Sequence, residues 1–99
     1  MKRKIKYTTL SNRVRRNVNM ALKFVQNNRG SYATLVLDLS DGDIWVDAFI
    51  DRSEFINYIS KDIVILGYIY EDEEFEDCKN FIMQEAAYYF DMNRWEILY

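Results

Sequence analysis

Apolar residues recur along this chain at two different periods, and the changes of period mark its elements. Val14, Val18, Ala21, Leu22 and Val25 fall three or four residues apart, which predicts one buried stripe of a helix. Arg13, Arg16, Asn17, Lys23 and Asn27 occupy the remaining surface of that helix. Ser11 is placed to cap its start, since a serine hydroxyl can accept from an early backbone N–H that has no partner in the helix. Asn27, Asn28 and Gly30 supply the stop signal. The period then shortens to two. Ala33, Leu35, Leu37 and Leu39 share one face of a strand over residues 32–39. Asp41 and Gly42 both tolerate positive φ and predict a two-residue hairpin turn, with a returning strand over 44–50.

Asp51 followed by Glu54 reads as the start of a short helix carrying Phe55, Ile56 and Ile59. Residues 63–70 are apolar on both faces, which predicts a central strand. The acidic run 71–77 is expected to open a long helix, where negative charge interacts favourably with the helix dipole. Phe75, Cys78, Ile82, Ala86 and Tyr89 form its core stripe. Asp91, Met92 and Asn93 end it, and Trp95, Ile97 and Tyr99 alternate as a final strand; continuation of the helix through Trp95 is the alternative. Residues 1–9 read as a basic arm, with Ile5 and Tyr7 able to add it to a sheet edge. Residues 10–99 read as a single domain. The order α-β-β-α-β-α-β predicts an α+β fold, a small, mostly antiparallel sheet of three or four strands packed by helices.

Composition narrows the class. A chain of 99 residues has room for one core, and 49% hydrophobic content excludes a disordered chain. Cys78 is the sole cysteine, so neither an intramolecular disulfide nor a cysteine-based zinc site can form. Its position on the apolar stripe predicts packing rather than reactivity. The basic N-terminus is not followed by an apolar stretch long enough for a signal peptide, and no run is long enough to span a bilayer. The expectation is a cytoplasmic protein without a membrane partner.

Histidine is absent, which removes Ser-His-Asp and Cys-His nucleophiles and the commonest metal ligand. Asp47 with Asp77-Cys78-Lys79 superficially matches the acids and lysine of metal-dependent nucleases, but such an Asp-x-Lys normally sits on a strand and here falls in a predicted helix. The aspartates around Gly42 lack the spacing of a calcium loop. No catalytic residue, metal ligand or cofactor is therefore assigned, and the chain is expected not to be an enzyme.

Charge changes the picture most. Residues 1–37 carry nine bases and no acid, whereas residues 38–99 carry all sixteen acids against four bases, so +9 is followed by −12. Glu71, Asp72, Glu73, Glu74, Glu76 and Asp77 form the densest cluster, with Asp41 and Asp43 adding charge at the hairpin. An isolated acidic run is usually a solvated helix start. Yet carboxylates three or four apart on a helix lie ~5–6 Å apart, comparable to phosphates along a nucleic-acid backbone. That spacing makes these eight residues the candidate partner-binding acidic face. Lys2, Arg3, Lys4, Lys6, Arg13, Arg15 and Arg16 are the candidate contacts for DNA or RNA in the competing reading, with no recognised motif beside them. Tyr68, Tyr70, Tyr88, Tyr89, Trp95 and Tyr99 are too many aromatics for one small core, which fits an exposed protein-binding surface or a homodimer.

In size, single-domain build, acidic balance and the segments Trp45-Val46-Asp47, Arg52-Ser53-Glu54-Phe55 and Tyr70-Glu71-Asp72-Glu73-Glu74-Phe75, the chain resembles small phage-encoded host-defence inhibitors, namely anti-CRISPR proteins and antirestriction DNA mimics. The resemblance is one of style and covers about residues 30–77. It implies a stoichiometric inhibitor of a nucleic-acid-binding nuclease complex, acting in the host cytoplasm. The basic N-terminal region departs from the uniformly acidic antirestriction mimics and adds guide RNA or an acidic protein surface to the partners such an inhibitor could touch.

Overall fold

The computed structural model describes residues 2–49 and 62–99. Their order is β1 (Arg3–Lys6), α1 (Tyr7–Asn27), β2 (Tyr32–Asp38), β3 (Asp43–Phe49), β4 (Ile63–Ile69), α2 (Phe75–Met92) and β5 (Trp95–Leu98). An antiparallel sheet of order β3-β2-β4 is packed by the helices, and β1 and β5 form a separate parallel pair. The class is α+β. The short helix expected after Asp51 lies outside the described residues.

The helical stripe is buried as its spacing predicts: Val14, Val18, Ala21 and Val25 are fully enclosed and Leu22 nearly so. The helix nevertheless begins at Tyr7, a full turn before Ser11, with Lys6 in the capping position and no side chain capping it. Leu10, also fully buried, carries the stripe back by that turn, so packing rather than a cap fixes the start. Asn17, expected on the surface, is buried; its amide donates to the Arg13 carbonyl at 2.7 Å, which removes the penalty for enclosing it. Beyond the helix, Asn28 donates from its side chain to the Phe24 carbonyl at 2.9 Å and Gly30 takes φ +81°, as the stop signal requires.

Ala33, Leu35 and Leu37 of β2 face the helices and form one core with Leu66 and Ile69 of β4 and Cys78, Ile82, Ala86 and Phe90 of α2. On the other face of β2, Thr34 and Val36 are also buried. Among the described residues the central strand is therefore β2, and β4, expected in the middle, is an edge. Chain order explains the exchange: β3 and β4 both return antiparallel to β2 and occupy its two sides. In β4 a register shift opposite Leu35 and Val36 leaves Leu66 as an extra residue.

The hairpin loop is longer than Asp41-Gly42 alone. β2 ends at Asp38 and β3 begins at Asp43, with the Gly42 amide donating to the Asp38 carbonyl at 2.8 Å. Leu39, just past the end of β2, still turns its side chain into the core, and its amide donates to the Asp62 carbonyl at 2.7 Å, next to the Asp38–Ile63 pair.

The N-terminal residues take the sheet-forming option. Ile5 is buried between exposed lysines and pairs in register with Ile97. The final strand forms as expected, but against β1 rather than the main sheet. Arg94, at φ +62°, turns the chain sharply out of α2. Trp95 then fills the space beneath the hairpin loop. Since Leu22 sits in the middle of the α1 stripe, Leu22→Ala should lower stability by about 2–5 kcal/mol in urea unfolding. An unchanged midpoint would refute this packing.

Candidate functional site

The acidic run does not open α2. Residues 70–73 make a turn in which the Glu73 amide donates to the Tyr70 carbonyl at 3.3 Å, and Glu74 occupies the capping position. Only Glu76 and Asp77 lie in the first helical turn, where the dipole favours them. This geometry places Asp72, Glu73, Glu74 and Asp77 around an open groove of about 590 Å³ between α2 and the β4 edge. Gly67, Tyr68, Ile69, Tyr70, Phe81 and Ile82 complete its walls. Phe81 is 54% exposed and offers aromatic surface inside a carboxylate rim, whereas Tyr68, opposite Thr34, turns its ring to the other face of the sheet beside Tyr32.

Cys78 lies in the groove wall and donates its thiol hydrogen to a Glu73 carboxylate oxygen at 2.7 Å. Burial first, and then the Glu73 carboxylate, push this thiol up to about 12. The native thiol should accordingly be alkylated much more slowly at pH 8 than in urea; equal rates would show that the contact does not hold in solution. Because its folded pKa lies above that of a free thiol, the stabilising effect of proton retention is complete below about pH 9 and is lost as pH rises towards 12.

Glu76 stands apart from the rim. It pairs with Lys79 at 2.8 Å, and that hydrogen bond and charge lower its pKa, with a smaller contribution from Arg15. No ion pair joins the basic N-terminal region to the acidic half within salt-bridge distance among the described residues. Among the described residues, then, the two halves do not neutralise each other by direct pairing.

Asp41 and Asp43 do not join the groove. β2 runs from Ala33, paired with Ile69 near the groove, to Asp38, paired with Asp43 and Ile63, so about 17 Å of strand separates the two acidic zones. The turn aspartates serve local geometry: Asp41 accepts from the Asp43 amide at 2.9 Å and Asp43 from the Ile44 amide at 3.0 Å.

The basic candidates also divide. Arg13 is half-buried and donates to the Gly42 carbonyl at 2.6 Å, while Arg3 lies 5.9 Å from the Trp95 ring centroid and reaches the Leu39 carbonyl at 3.4 Å. Both brace the hairpin. Arg13 thus contributes to stability, contrary to its reading as a surface residue. Lys4 and Lys6 are exposed on β1 and Lys2 is exposed just before it, and Arg15 and Arg16 flank Phe75 with Asn12 and Asn19.

Asp47 pairs in register with Thr34, on the face of the sheet turned away from α2, and so cannot approach Asp77-Cys78-Lys79. No cluster of three acidic or cysteine residues among those described could hold a metal. No described helix is long and apolar enough to cross a membrane. Of the surplus aromatics, Tyr68, Tyr70, Tyr88 and Tyr99 are exposed, Tyr89 is half-buried and Trp95 is buried. Phe81 is the groove residue that sequence reasoning missed. The signal for it was its position off the Cys78–Ile82–Ala86 stripe, which exposes it beside whichever strand α2 covers. No protein-family model, curated protein or solved structure matches this chain.

Proposed function

We propose that this chain is a non-enzymatic inhibitor that docks its acid-rimmed groove on the basic nucleic-acid-binding surface of a nuclease complex, with carboxylates standing in for phosphates. The observation that carries this reading is the rim itself. Asp72, Glu73, Glu74 and Asp77 converge on one open groove, and none has a lysine or arginine within salt-bridge distance among the described residues. Unneutralised carboxylates beside exposed aromatics suit a basic protein surface, where charge steers encounter and aromatic anchors supply buried area.

A competing reading, direct binding of DNA or RNA, draws on exposed Lys2, Lys4, Lys6, Arg15 and Arg16. It is weakened because Arg3 and Arg13 are engaged within the fold. A gel-shift titration separates the two. The inhibitor should leave free duplex DNA and RNA unshifted, yet prevent DNA binding by a nuclease complex captured on it from host lysate. Tight binding to free nucleic acid that falls steeply with salt and requires Arg15 and Arg16 would reject the inhibitor reading.

A further inference from the structure

We infer that the free edge of β4 receives an extended, lysine- or arginine-bearing segment of the protein partner as an added strand, its basic side chains meeting the groove rim. This inference rests on the groove being the partner-facing side. Three independent features converge on it.

The first is the edge. Among the described residues β4 pairs with β2 alone, so every second residue directs its N–H and C=O away from the sheet. Exposed edges are normally blunted by charge, proline or a bulge. β4 reads IVILGYI, with neither charge nor proline, and has only the bulge at Leu66. The opposite edge, β3, carries Asp43 and Asp47.

The second is the floor. A Cβ on Gly67 would lie 2.9 Å from Ile82 Cδ1 and 3.2 Å from Phe81 Cε1, so the missing side chain leaves the space that these two α2 side chains occupy against β4. Phe81 is left beside the edge, able to cover alternate side chains of an incoming strand. Strand addition has this division of labour: main-chain hydrogen bonds give affinity, and alternate side chains give specificity.

The third is charge. Asp72, Glu74 and Asp77 are exposed around the same groove. They select a basic segment and repel nucleic acid and anionic lipid. A second copy of this chain is a poorer occupant, because its own basic strand β1 is already paired with β5.

The test uses the full chain and a fluorescent peptide of alternating lysine and valine. Two control peptides accompany it: one N-methylated on alternate amides, which cannot complete a ladder, and one with glutamate for lysine. The parent peptide should bind, shift the amide resonances of Gly67, Tyr68 and Ile69, and slow their hydrogen exchange. N-methylation should weaken binding about tenfold or more, and the glutamate peptide should not bind. Equal binding of the N-methylated peptide would overturn strand addition while leaving the inhibitor reading intact. Failure of the parent peptide to bind would also overturn it. Self-association that protects the same amides and disappears with salt would overturn it in favour of a second copy. Arginine-dependent binding of free DNA, by contrast, would reject the inhibitor reading without touching the peptide result.

Discussion

Trp95→Ala should lower the stability of the protein by about 3–5 kcal/mol, the usual cost of emptying a buried aromatic site. Trp95 is 8% exposed, stacks obliquely on Phe90 with ring centroids 4.7 Å apart, and donates its indole N–H to the Leu39 carbonyl at 2.9 Å. A Cβ on Gly42 would lie only 3.0 Å from its ring, so the indole also supports the hairpin loop directly. Removing it leaves a hole shared by β5, α2 and that loop, and takes the ring from beneath Arg3. With total stabilities of about 5–15 kcal/mol for such domains, the loss should move the melting temperature by roughly 15–30 °C. Trp95→Phe keeps most of the packing and loses the hydrogen bond, so its cost should be nearer 1–2 kcal/mol. Thermal and urea unfolding of the three proteins measure both quantities. A Trp95→Ala protein as stable as the parent would mean that the β1–β5 pair does not clasp the loop.

If the chain is the proposed inhibitor, reversing Asp72, Glu74 and Asp77 to lysine together should reduce its affinity for a nuclease complex at least about a hundredfold, or ~2.7 kcal/mol. The substitution turns three attractions into three repulsions at one rim, and juxtaposed like charges across an interface cost several kcal/mol. Glu73 is left unchanged because its carboxylate holds the Cys78 thiol hydrogen, and altering it would mix binding with packing. The three chosen residues are exposed, so unfolding should shift only by the modest cost of lysine at a helix N-terminus, about 0.3–1 kcal/mol. Inhibition by the parent protein should weaken as salt rises. Reversing Arg15 and Arg16 to glutamate should have a much smaller effect. If the acidic variant inhibited as well as the parent in a DNA-cleavage assay, the carboxylate rim would have no part in inhibition.

The sequence by itself determined the identity of nearly every element, because periodicity reports which side chains must leave water. The α1 stripe, the inward face of β2 and the Cys78–Ile82–Ala86 stripe are legible without coordinates, since each repeats at the period of its own backbone. Long-range pairing is different. Whether β4 or β2 lies in the middle of the sheet depends on how three strands return on one another, and both strands are apolar enough for either place. The acidic run was visible as charge, yet its role as a groove rim needed the turn at residues 70–73 and the approach of Phe81 to Gly67. Ser11 had the chemistry of a cap, but Leu10 packing moved the helix start a turn earlier. Arg13 was equally readable as a phosphate contact until the fold brought the Gly42 carbonyl within 2.6 Å of it. Local pattern fixes which atoms seek burial; only the closed chain decides which distant group each polar atom meets.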